Sequence, residues 1–112
     1  MIHMLSRFDL KASADLDEFT AAYARLVANM RALDLAESTG PVGQRLGQTD
    51  MDTDAADAPR YYAVMNFRDR AQLDAAYTFL LTQPDDPSHK ADHGCVKRSV
   101  ARPVFTCWED LS

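Results

Sequence analysis

The sequence predicts a single α+β domain whose elements run strand, helix, strand, strand, helix, strand. Three observations lead there. The 112 residues suit one domain, and 46% hydrophobic with 26% charged residues is the balance of a globular chain. Two segments, Asp15–Leu35 and Asp69–Gln83, repeat apolar residues at helical spacing, while the segments around them alternate at the period of strands. No internal repeat, low-complexity tract or long linker divides the chain. A domain of this size removes roughly 65% of its unfolded surface from water, enough for one core without disulfide or metal staples.

Met1–Leu10 reads as the first strand, beginning at the first residue, with Ile2, Met4 and Phe8 on one parity and His3, Leu5 and Arg7 on the other. Asp15–Leu35 is the first helix. Asp15 caps it, Glu18 has the capping-box spacing, and Asp17 and Glu18 suit the positive end of the helix dipole. Leu16, Phe19, Tyr23, Leu26, Val27, Met30 and Leu33 form one apolar stripe, and Gly40-Pro41 marks its stop. Val42–Gln48 alternates weakly among glycines, which suits an edge strand. Thr49–Pro59, with Asp50, Asp52, Asp54 and Asp57, reads as an exposed acidic loop. Arg60–Arg68 is a strand rich in aromatic and branched residues. Asp69–Gln83 is the second helix, capped by Asp69 with Gln72 as reciprocal partner, with Leu73, Ala76, Tyr77, Leu80 and Leu81 as its stripe and Pro84 and Pro87 as its end. Ser88–Val96 is ambiguous, with a short helical turn capped by Ser88 as one reading. Ser99–Trp108 is the last strand, and Pro103 places it at an edge.

Two strand–helix–strand units joined by a hairpin give the split, ferredoxin-like βαββαβ topology, a four-stranded antiparallel sheet with both helices on one face. The first and third strands are then central. The two strands demoted for glycine and proline are the edges. An open antiparallel face should turn polar on alternate residues. These strands do not: Tyr61, Met65 and Phe67 oppose Tyr62 and Val64, and Val100, Val104 and Trp108 oppose Ala101, Phe105 and Cys107. Both faces are therefore expected to be covered, the second by another copy of the chain.

Strand order, helix lengths and two-sided strands together resemble the dimeric α+β barrel superfamily, in which two ferredoxin-like protomers pack sheet on sheet. That group includes antibiotic-biosynthesis-type and haem-degrading monooxygenases, muconolactone-isomerase-like proteins and stress-responsive barrel proteins. The run from Phe67 to Tyr77 resembles a strand-to-helix junction of several members, and Pro87-Ser88-His89 resembles their segment after the helix. The stretch from Phe105 to Asp110, Phe-x-Cys-Trp-Glu-Asp, resembles the ending of a small bacterial family and carries no activity with it. The resemblance implies a homodimer formed through the open sheet face. It also implies one of two functions: binding a small apolar or aromatic molecule in a cleft beside the sheet, or catalysis there as a small cofactor-independent or haem-linked monooxygenase or isomerase. The Asn/Trp/His set of the monooxygenase members has no residue-by-residue match in this sequence.

The candidate ligand-binding residues are His3, Arg7, Tyr62 and Asn66. His3 and Arg7 share a parity on one central strand, and Tyr62 and Asn66 share one on the other. Facing the same side, they would place four polar groups in the lumen of the barrel, the pattern of a small-molecule site. The competing reading has Arg7 and Asn66 at strand ends, reaching solvent or an interface carboxylate. Trp108 reads as an interface anchor.

Other motifs carry bland readings. Asp50-x-Asp52-x-Asp54 begins like a calcium loop, but Ala55 and Tyr61 stand where an EF-hand needs Gly and Glu. His89 and His93 have a spacing that can ligate zinc, with Asp92, Cys95 or His3 available to complete a set, but nothing specifies which; no metal site is assigned, and the segment reads as a surface turn. Cys107 reads as a buried small hydrophobe and Cys95 as the more accessible thiol. Two cysteines do not make a disulfide framework, so a reducing cytoplasm is the default location. A net charge of −5 argues against nucleic acid and anionic membrane as partners. No apolar run is long enough to span a bilayer, and no signal peptide is visible. Phosphate-binding, Gly-x-Ser-x-Gly and His-Glu-x-x-His motifs are absent, and no cofactor is named by any motif.

Overall fold

The computed structural model describes residues 1–47, 49–82 and 86–112. Its elements run β1 (Ile2–Leu10), α1 (Leu16–Ala32), β2 (Ser38–Thr39), β3 (Gly43–Gln44), β4 (Tyr61–Phe67), α2 (Arg70–Thr82), α3 (Pro87–Ser99) and β5 (Val100–Glu109). β1 holds the centre of an antiparallel sheet, paired with β4 on one side and β5 on the other. The order is β2-β4-β1-β5, and β3 also pairs with β4. This is the ferredoxin-like arrangement, with two corrections. Among the described residues the sheet has five strands: of the predicted Val42–Gln48 strand only Gly43–Gln44 pairs with β4, and Ser38–Thr39, ahead of Gly40-Pro41 and outside the prediction, adds a further short strand. The described residues also form three helices rather than two.

The third helix replaces the expected surface turn. Asp86, not Ser88, caps α3, its carboxylate accepting from the backbone N–H of Ser88 and His89. Pro87 occupies the first turn, where a missing N–H costs nothing. The helix runs through Gly94 to Ser99 because tertiary contacts outweigh its weak pattern: His89 is buried and Val96 packs against the core. The predicted strand end at Gln48 and helix end at Gln83 and Pro84 lie outside the described residues.

Even-numbered residues of β1 face the helices. Ile2 joins Leu26, Val27, Met30, Met65, Phe67 and Ala76 in one buried cluster, and Phe8 joins Phe19 and Ala63 in a second. α1 starts as its sequence predicts, Asp15 accepting from the Glu18 N–H at 2.9 Å. It stops well before Gly40. Asp34 turns to φ +59°, its N–H bonding the Arg31 carbonyl while the Leu35 N–H bonds that of Met30. That pair is a Schellman ending, with Met30 and Leu35 in the same core cluster. Leu16 and Leu33 at the helix ends are exposed.

α2 departs from its stripe. Tyr77 and Leu81 are more than 60% exposed, whereas Gln72 is buried. Asp69 accepts from the Gln72 N–H, but the Gln72 side chain reaches back to the Arg68 N–H and also donates to the Asp34 carbonyl and to Glu37. Every polar atom of that buried amide is thus answered, which is what permits its burial. Arg68 adds ion pairs to Asp34 and Glu37, so the β4–α2 junction is tied to the end of α1.

β5 carries a bulge. Arg7 pairs with Val104 but Asp9 with Ala101, so β5 holds one extra residue there, where Arg102 adopts φ +51°. The extra residue flips the side-chain parity. Val100 therefore packs with Phe8 on the helix side, while Val104 and Trp108 lie on the other face. The grouping of Val100 with Val104 and Trp108 is corrected on this ground. Cys107 is also corrected: beyond Pro103 the edge strand is exposed on both faces, and its thiol with it. Cys95 is the half-buried thiol, 3.7 Å from a Glu18 oxygen.

Met30→Ala is expected to lower unfolding free energy by about 2–5 kcal/mol, because its side chain is wholly enclosed. Asp15→Ala should cost about 1 kcal/mol through the lost cap. Urea denaturation measures both; a Met30→Ala loss no larger than that of the cap variant would contradict the core assignment.

Candidate functional site

The pairing register decides where the four candidate residues stand. His3 lies across from Asn66 and Trp108, Leu5 from Val64 and Thr106, and Arg7 from Tyr62 and Val104. All share the face away from the helices. Four residues of strand separate the His3 row from the Arg7 row, roughly 13 Å. The sheet therefore gathers the candidates into two pairs at opposite ends of one face, with Leu5 and Val64 between them.

At the first end, His3 Nδ1 lies 2.6 Å from Asn66 Oδ1 and Nε2 lies 2.8 Å from Asp110 Oδ1. Asn66 in turn donates to Ser38 Oγ at 3.0 Å, which fixes its oxygen toward the imidazole. Both ring nitrogens thus face acceptors, so the geometry favours the doubly protonated ring. Asn66 first, then Asp110, raises the His3 pKa above its usual value, and the His3 hydrogen bond lowers that of Asp110. Trp108 stands beside this cluster, 61% exposed, its indole N–H bonded to Thr106.

At the second end, Arg7 and Tyr62 line an open hollow of about 350 Å³ with Leu5, and residues 51–54 form its far wall. Gly43 shapes this end. A β-carbon there would overlap the Tyr62 ring, so only glycine lets that ring lie across β3. Arg45 holds the loop in place through a two-point pair with Asp54, which keeps the Asp54 carboxyl below the usual carboxylate range. Arg102 ties the loop from the other side, bonding Asp9 and the Asp57 carbonyl.

Sequence reading missed Asp110, Ser38 and Arg45. Asp110 and Ser38 are brought in by strand register, and Arg45 by the fold-back of an acidic loop; no local motif announces either. Against the surface-turn reading, His89 is 1% exposed, its ring edge-on to Phe79 at 4.5 Å and 5.3 Å from His93. Among the described residues neither His89 ring nitrogen has a hydrogen-bond partner. Burial first, then His89 and Lys97, lowers the His93 pKa. Asp92 is engaged with Arg25. Among the described residues no three His, Cys, Asp or Glu side chains are placed to hold a metal ion, and no helix is long and apolar enough to cross a membrane.

No protein-family model and no curated protein matches the sequence. Solved structures do match the fold. A protein of Arabidopsis thaliana aligns with TM-score 0.72 at 10% identity, over 100% of this chain and 97% of that one. A dimeric ferredoxin-like protein of unknown function from Jannaschia sp. CCS1 aligns with TM-score 0.65 at 18% identity, over 97% and 98%. SnoaB, a cofactor-independent oxygenase from Streptomyces nogalater, aligns with TM-score 0.64 at 12% identity, over 99% and 93%. The shared fold is the ferredoxin-like one expected from the sequence.

The histidines should titrate in opposite directions. His3 is stabilised as the cation, so its contribution to stability is complete below about pH 6.5 and is lost as pH rises through its raised pKa. His93 is stabilised as the neutral ring, so protein stability falls as pH drops below about 6.5. An NMR titration is expected to place His3 above and His93 below that value, with Asp110→Asn moving His3 down. Two midpoints near 6.5 would contradict the geometry.

Proposed function

We propose that the protein is a homodimer whose helix-free sheet faces pack together, and that it binds a small apolar or aromatic molecule in the hollow beside β1 and β4. One observation carries this reading. The face away from the helices presents Leu5, Val64, Val104, Tyr62 and Trp108, with Val104, Tyr62 and Trp108 at 41%, 45% and 61% exposure in the single chain. A contiguous apolar sheet face of this kind marks an association surface. The Jannaschia protein of the same fold is a dimer, which supports the choice of a second copy as the cover. The hollow lies at the end of that face, and its volume of about 350 Å³ falls in the range of small-molecule pockets. His3, Asn66 and Asp110 at the other end would then face the partner.

A second reading, catalysis in the same hollow as a cofactor-independent or haem-linked monooxygenase or isomerase, rests on the likeness to the Streptomyces nogalater oxygenase. A shared fold does not fix chemistry. A thermal-shift screen of apolar and aromatic compounds, haem and divalent metals separates the readings. Stabilisation by aromatic compounds supports the binding reading. A Soret band with oxygen uptake supports the haem-linked one.

Sedimentation equilibrium is expected to give twice 12.5 kDa at micromolar concentration. Trp108→Ala should weaken the dimer by about 2 kcal/mol if the indole is buried on association. A monomer mass overturns the assembly; an unchanged dissociation constant removes Trp108 from the interface.

A further inference from the structure

Among the described residues two arginines of the hollow, Arg7 and Arg60, make no side-chain ion pair, and Arg7 is the half-buried one. Three arginines and two aspartates line that space. Arg45 is committed to Asp54 and lies 3.8 Å from Asp52. Arg60 acts on Asp9 only through space, Asp9 being bound by Arg102, and its side chain is exposed to water. Arg7 makes no hydrogen bond or ion pair among the described residues; its charge reaches Asp54 only at long range. It is half-buried on the sheet face, so part of its hydration is already lost. A guanidinium in that position holds five N–H donors ready for an acceptor that the chain does not provide.

We propose that the hollow takes a planar apolar or aromatic monocarboxylate, its carboxylate on Arg7 and its apolar body against Leu5, Tyr62 and Met51. This rests on the reading of the hollow as a small-molecule site and names the class of molecule. The guanidinium fork matches two carboxylate oxygens at once, which a neutral group cannot reproduce. The apolar side chains and the ring of Tyr62 favour a body that is itself apolar. Asp52 and Asp54 set an upper limit on charge. A single negative charge is answered by Arg7, whereas a dianion such as a phosphate monoester would also meet those two carboxylates. The other acceptor this geometry admits is a carboxylate from a second copy of the chain, and the test separates the two.

The full-length protein is titrated with naphthoate and with naphthamide, the same body without the charge, at one ionic strength, with chemical shifts followed at Leu5, Arg7 and Tyr62. Naphthoate is expected to bind about tenfold more tightly than naphthamide, and to shift those residues rather than His3. Arg7→Gln should reduce the acid-over-amide ratio to about one; Arg7→Lys should keep part of the preference. Equal binding of acid and amide by the wild-type protein overturns the proposal but leaves the hollow as a site. Binding of neither overturns the parent reading and this one with it. An acid preference that survives Arg7→Gln, or shifts centred on His3, also overturns it. Loss of dimer mass in Arg7→Gln, with no acid preference in the wild type, assigns the guanidinium to a partner's carboxylate instead. The wild-type comparison stands even if a variant fails to fold.

Discussion

A sheet covered by helices on one side only must resolve its other side. In this chain the helix side is well filled: Phe8, Phe19, Met30, Met65 and Phe67 are all nearly inaccessible. The far side is set by the same backbone pleat, so each buried residue of β1 and β4 has a neighbour that points away. Those neighbours are Leu5, Val64 and Tyr62 as well as His3, Arg7 and Asn66. Leu5 and Val64 lie in the middle of the face, with Arg7 and Tyr62 at one end and His3 and Asn66 at the other. Covering the middle with a second apolar layer removes it from water at roughly 25 cal/mol per Å². The ends then become the places where polarity must be answered by hydrogen bonds, by solvent or by a ligand.

The two ends solve that requirement differently. His3 is closed into a ring of acceptors, Asn66 and Asp110, with Ser38 holding Asn66 in orientation. Both of its ring nitrogens are already engaged. Arg7 has no such ring, and the loop that approaches it brings carboxylates already held by Arg45. The difference between a completed and an uncompleted polar group, rather than the fold, is what singles out the hollow beside Tyr62.

Much of this was readable before any coordinates. Period-two and period-three-to-four patterns gave β1, α1, β4 and α2, and the glycines and Pro103 marked the edges. Two-sided strands announced a face in need of cover. The candidate residues were placed on one face by parity alone. What failed was everything that depends on tertiary context or on one added residue. α3 has a weak pattern and a central glycine, and only packing around His89 and Val96 makes it a helix. The bulge at Arg102 reverses the parity of Val100, and no local residue type reports that reversal. Four-residue spacing on a strand put His3 and Arg7 on one face but not in one pocket. Asp110 and Arg45 reach the two ends through register and loop closure, which sequence spacing does not encode.

The central claim is that the helix-free face is buried against a second copy. A soluble paramagnetic gadolinium chelate tests it most directly, by broadening the methyl resonances of whatever side chains meet solvent. On this account Leu5, Val64 and Val104 stay sharp at high protein concentration while Leu46, 90% exposed, broadens. Broadening of Val104 to the extent of Leu46 would contradict it.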